Sequence, residues 1–134
     1  MTGPLDRVTA LGLLERGDAL LEQGEVDAAA AHYARVVGHP DPDITAAAWY
    51  RLGEARWRRS DEDGAMAAWE AAARVGETDT AWEAWRRLAA ARVERARVKY
   101  RWAPLLSPLS LVSQPRRALI WARSAGGARR SASR

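Results

Sequence analysis

The large apolar side chains of this chain recur three and four residues apart, not at every second position. Trp49, Leu52 and Arg56 fall on one side of a helix, and Ala65, Trp69 and Ala72 on one side of the next. No sustained window carries the Val, Ile, Thr and aromatic alternation of a strand. The pattern predicts five helices, over about residues 4–22, 25–38, 44–59, 62–75 and 80–102. Gly24 in EQGEVD is placed to end the first in a left-handed conformation. Pro40 and Pro42 in GHPDPD forbid a continuous helix, with Asp43 as the cap that follows. Ser60 with Asp63, and Thr80 with Glu83, have the spacing of helix starts. Pro104 closes the last helix. Beyond it, PLLSPLSLVSQP is apolar but punctuated by Pro and Ser, RRALIWARSA suits a short helix, and GGARRSASR reads as disordered.

The helical positions repeat. Gly17, Ala29 and Tyr33 recur as Gly53, Ala65 and Trp69, each 36 residues later. Leu13 recurs as Trp49 and again as Trp85, and Leu52 recurs as Leu88. With Trp57, Ala72, Leu20 and Val36 at their offsets, this pattern resembles the tetratricopeptide repeat (TPR), a helix–turn–helix unit of about 34 residues. The resemblance covers roughly residues 9–102, and Ala89 stands where the third unit would carry its Gly. It implies an all-α fold, a short right-handed α–α superhelix of five helices. Residues 1–103 would form the repeat domain, with units at about 10–43 and 44–79, a capping helix at 80–102, and an extended tail at 104–134. Gly17 and Gly53 would lie where the helices of a unit cross, opposed by Ala29 and Ala65, with Tyr33 and Trp69 filling the gap toward the next unit. Each helix pair buries too little by itself, so neighbours must stack. The competing reading is an unrelated Ala-rich helical bundle.

Composition changes the picture in three ways. The 134 residues suit one small domain with a tail, and 48% are hydrophobic, with seven Trp and no Phe. Cysteine is absent, which excludes disulfides, thiolate metal sites and a Cys nucleophile. MTGPLDRV lacks a signal-peptide pattern, and no apolar run reaches the ~20 residues of a membrane helix, so the expectation is a soluble cytoplasmic protein. All basic residues but Lys99 are Arg, which with the abundant Ala resembles high-GC coding bias and weakens any argument from Arg abundance alone. Charge is uneven. Residues 104–134 carry six Arg and no acid, whereas the other 103 residues carry 15 basic and 17 acidic groups.

Chemistry is sparse. His32 and His39 belong to no ligand-spaced cluster. The acidic runs DPD and SDED lack the alternation and terminal Glu of a calcium loop and are read as helix caps. SAGGARR lacks phosphate-loop spacing, and no Ser, His, Asp set is supported. No catalysis, cofactor or metal is expected. Binding remains. By the TPR resemblance, the first helices would line a concave groove with Leu14, Asp18, Leu21, Tyr50, Glu54, Trp57, Arg86 and Val93. The Lys and Asn of the family's carboxylate clamp are replaced by Leu14 with Asp18 and Tyr50 with Glu54. Tyr50 and Trp57 would suit an apolar or basic peptide, unless the chain's own tail or a second copy covers Trp57. In the tail, Leu105, Leu106, Leu109, Leu111 and Val112 offer apolar docking to the groove or to a partner. Arg116, Arg117 and Arg123 around Trp121 offer attachment to nucleic acid or an anionic surface. The expected function is a non-catalytic adaptor or scaffold subunit whose partner is another protein or a second copy. A nucleic-acid- or surface-associated accessory protein is the alternative.

Overall fold

The computed structural model describes residues 5–101, and every regular element among them is a helix. In chain order they are α1 (Arg7–Glu22), α2 (Val26–Ala34), α3 (Pro42–Arg58), α4 (Glu62–Ala73) and α5 (Asp79–Lys99). Five helices were expected, at nearly these limits. α2 stops four residues early because its last residues close with i→i−3 bonds, from Arg35 to His32 and Val36 to Tyr33, and no longer propagate an α-helix. α1 packs on α2, α2 on α3, and α3 on α4, the order of a helical repeat. The first compact unit runs to Arg95 and the second begins at Ala96, within α5. Of the second unit, the end of α5 and the turn after it, to Arg101, are described.

Burial follows the 36-residue period. Ala10 and Ala46, Gly17 and Gly53, Ala29 and Ala65, Tyr33 and Trp69, Ala48 and Ala84, and Leu52 and Leu88 are all buried. The core forms two clusters. One centres on Leu13, Leu14, Tyr33, Val36, Ile44 and Leu52, and the other on Trp69, Ala72, Leu88 and Ala91. Trp49 packs against both and joins them. Trp69 and Tyr33 are the largest side chains fully out of solvent. Each removes enough apolar surface from water to contribute about 1.5–3 kcal/mol or more.

Tyr33 clusters with Ile44, Ala48 and Leu52 of α3, and Trp69 with Ala84, Leu88 and Ala91 of α5, so each ring reaches the next unit as expected. Each ring also lies directly on the glycine of its own unit, which the sequence reading did not foresee. A Cβ on Gly53 would stand 2.5 Å from Cδ1 and 2.9 Å from Cε2 of Trp69, and one on Gly17 would stand 2.9 Å from Cδ1 of Tyr33. The missing side chain is therefore filled by an aromatic ring from the second helix.

The caps also differ from the sequence reading, each by one or two residues. Asp41, not Asp43, caps α3: its carboxylate accepts from the Asp43 N–H at 3.0 Å, and Pro42 takes the first helical position, where no N–H is needed. Asp61, not Ser60, caps α4, accepting from the Gly64 N–H at 3.0 Å. Ser60 is used to end α3, in the left-handed region at φ 64. It stands 36 residues after Gly24, which ends α1 at φ 83 as expected. Thr78, not Thr80, caps α5 through its hydroxyl, which accepts from the Ala81 N–H at 3.0 Å. Each cap is the residue at which the extended or turn backbone first yields to the helix, a position set by how early the preceding turn closes.

Ser60 is the only described non-glycine residue at positive φ. A Cβ there costs about 1–2 kcal/mol, and glycine's extra freedom in the unfolded chain returns part of it. Ser60→Gly is expected to stabilise the protein by about 0.5–1 kcal/mol, read as a higher urea midpoint with unchanged slope. A lower midpoint would show that the strain is not there.

Candidate protein-interaction surface

The helices are laced by ion pairs that keep the same period. Arg51 on α3 donates through Nε to Asp18 on α1, at 2.9 and 3.1 Å. Thirty-six residues on, Arg87 on α5 donates through Nε to Glu54 on α3, at 2.7 Å. A second rung joins Arg59 to Asp27 at 2.8 Å, and its counterpart joins Arg95 to Asp63 at 2.7 Å. The sequence reading missed all four. Their signal was present as acid–arginine pairs 33 and 32 residues apart, each recurring after 36. Most of these groups are substantially exposed, so a rung contributes no more than about 1 kcal/mol. Their effect is on register: each arginine finds its acid only if neighbouring units stack at one offset.

Asp18 also accepts a hydrogen bond of 2.7 Å from the buried Tyr33 hydroxyl. Burial first, and then this carboxylate, hold the Tyr33 phenol protonated well above the ordinary tyrosine range. Tyr50 is pushed up too, by burial and by the Glu54 charge. The second unit has no such bond. Trp69 replaces Tyr33, and its Nε1 is buried without a partner. Its ring instead packs with two neighbours: Trp57 lies 5.6 Å away between centroids, tilted by 41°, and the Arg87 guanidinium sits 5.0 Å from the Trp69 centroid and 5.6 Å from that of Trp57.

These contacts redistribute the groove residues read from the sequence. Leu14 is in the core, only 4% exposed, and so offers little of itself to a partner. Leu21 is half-buried against the first core cluster. Asp18 and Glu54 are engaged by Arg51 and Arg87. Tyr50 and Trp57 are half-buried against the second cluster, and what covers Trp57 is Trp69 with Arg87. Arg86 is exposed and paired with Glu83 of its own helix at 3.2 Å. Val93 is exposed. The tail residues Leu105, Leu106, Leu109, Leu111, Val112, Arg116, Arg117, Trp121 and Arg123 lie outside the described residues. Both histidines have local partners: His32 Nδ1 meets the Ala28 carbonyl at 2.8 Å, and His39 Nδ1 accepts from the Asp41 N–H at 3.0 Å.

What the structure does open is a cleft of about 300 Å³ between α1 and α3. Leu11, Leu14, Ile44 and Ala47 form its apolar part. Arg7, Glu15, Asp43 and Arg51 supply charge of both signs, beside the predicted Asp18. Arg7 is itself bonded to Asp41, the α3 cap, so the same contact that ties the two helix starts together also borders the cleft. Among the described residues, no helix is long and apolar enough to cross a membrane. Comparison with protein-family models, with curated proteins and with solved structures finds no match to this chain.

Proposed function

We propose that this chain is a cytoplasmic, non-catalytic adaptor or scaffold subunit of TPR type, which binds a segment of a partner protein through its first helices and through its C-terminal tail. The observation that carries the reading is the α1–α3 cleft. It is an apolar trough open to solvent, edged by arginines and carboxylates, on the two helices that the repeat pattern would turn toward a ligand. Leu11 is partly exposed there, and a partner side chain that covers it gains contact area without disturbing the core. Charges of both signs at the edge fix orientation more than they add affinity.

A photo-crosslinking residue at position 11 tests this in the native host. The expected result is one dominant cross-linked protein, lost when Glu15 and Arg51 are both replaced by Ala. A residue at Ala31, exposed on α2, serves as the control. Equal products from both positions would refute cleft binding. The alternative, attachment to nucleic acid or an anionic surface, is supported by the six arginines of residues 104–134. It predicts an affinity that falls steeply between low and physiological salt.

A further inference from the structure

α5 carries two apolar stripes. Ala81, Ala84, Leu88 and Ala91 form the buried one. Trp82, Trp85, Ala89 and Val93 form a second, at helical spacing around the side of the first. Trp82 is 66% exposed, Trp85 57% and Val93 58%. In the 36-residue register these four correspond to Ala46, Trp49, Gly53 and Trp57 of α3, and to Ala10, Leu13, Gly17 and Leu21 of α1. All eight counterparts are buried or half-buried. At Gly17 and Gly53 the covering group is the ring of the helix that follows, Tyr33 of α2 or Trp69 of α4. The exposed stripe of α5 is thus the position that a second helix fills in both preceding units. A shallow cleft of about 250 Å³ runs along it, past Trp85, Ala89 and Arg92.

We propose that this stripe docks an amphipathic helix of another protein, one with small residues on its contact face and carboxylates on the flank. Size argues for the small residues. In α1 and α3 the first helix offers Ala and Gly and the second supplies the ring. On α5 the Ala becomes Trp82 and the Gly becomes Ala89, so the rings are already present and the occupant must offer Ala, Gly or Ser. Charge argues for the carboxylates. Arg86 and Arg92 border the stripe. Arg86 reaches only Glu83 of its own helix, and no carboxylate among the described residues pairs with Arg92. The same features disfavour a second copy. Stripe against stripe would bring Arg86 and Arg92 of both copies together. Head to tail, the ladder fails, because α5 has Ala90 where Asp18 and Glu54 stand, and α1 has Glu15 where Arg51 and Arg87 stand.

The site is separate from the α1–α3 cleft, and its test separates the two. The probe is a fluorescently labelled alanine-based helical peptide with glutamates spaced i, i+4 on one flank, together with its lysine-for-glutamate counterpart. Both are titrated by anisotropy with the full chain. The glutamate peptide is expected to bind and the lysine peptide not. Trp85→Ala should weaken binding roughly tenfold or more, and Arg92→Glu should reverse the preference between the peptides. Both side chains are exposed, so the melting temperature should hardly change, and Leu11→Arg in the other cleft should leave the affinity unaltered. Failure of the glutamate peptide to bind, or indifference to Arg92→Glu, overturns the proposal. So does a wild-type dimer in light scattering that Trp85→Ala dissociates, which would make a second copy the occupant. A disulfide formed in the full chain between Ala89→Cys and Ser107→Cys would overturn it in favour of the tail.

Discussion

Gly53→Leu is expected to abolish the cooperative thermal transition. The first atom of any side chain at position 53 lands on the Trp69 ring, which is fully buried and packed beside Trp57 and Arg87. The ring cannot step aside without opening the second core cluster. Gly53→Ala makes the magnitudes visible. Alanine gains about 1 kcal/mol over glycine in a helix interior. Overpacking of a well-filled core costs about 1–3 kcal/mol, and this contact belongs at the upper end. The net is a loss of about 2 kcal/mol, a drop of roughly 10 °C in melting temperature for a domain of this size. Gly12→Ala is the control. It lies within α1 with nothing inside 4 Å of the added carbon, so propensity alone acts and stability should rise by up to about 1 kcal/mol. A Gly53→Ala protein as stable as the parent would show that ring and glycine are not in contact.

Asp18→Ala carries the second-largest effect, because it strips partners from two elements at once. Tyr33 of α2 is left with a buried hydroxyl and no acceptor, which costs about 1–3 kcal/mol. Arg51 of α3 loses a pair that is a third or more exposed, worth at most about 1 kcal/mol. The hydroxyl therefore dominates, and the expected loss is about 2–3 kcal/mol, against 1 or less for Arg51→Ala. Tyr33→Phe in the Asp18→Ala background should recover part of the loss, since removing both partners is cheaper than orphaning one. Full additivity in that cycle would mean the two groups do not interact.

The same bond makes stability depend on alkaline pH. The folded phenol ionises far above the ordinary tyrosine value, so the unfolded chain releases its proton first as pH rises through about 10. From there the unfolded state binds fewer protons than the folded state, and stability falls with pH. Tyr33→Phe, less stable at pH 8, should fall more gently between pH 9.5 and 11 in urea titrations. Tyr50, raised for similar reasons, leaves a residual slope.

Fold class was legible because the information is local. Helical spacing, the breaks at Gly24 and Pro40–Pro42, and the recurrence of Gly17 and Tyr33 as Gly53 and Trp69 all sit within single turns or at one fixed period. Five helices followed within a few residues, and most boundary differences were shifts of a cap. Ser60, Asp61 and Asp63 all have capping chemistry, and only the left-handed turn at Ser60 selects Asp61.

The surface was much less legible. A first-helix position can be assigned from the repeat, but whether its side chain faces solvent depends on what a later helix places over it. Glu54 and Trp57 read as open until Arg87, thirty or more residues away, pairs with one and stacks on the other. Trp85 occupies the same register as the half-buried Trp49, and its exposure comes only from the absence of a covering helix over it among the described residues. Helix formation is decided by neighbours in sequence, so the sequence itself specified the five helices of the described residues and their two-unit period. Which groups remain free to meet a partner is decided by contacts thirty-odd residues apart, whose partners compete for the same arginines and rings, and that competition is resolved only when the units stack.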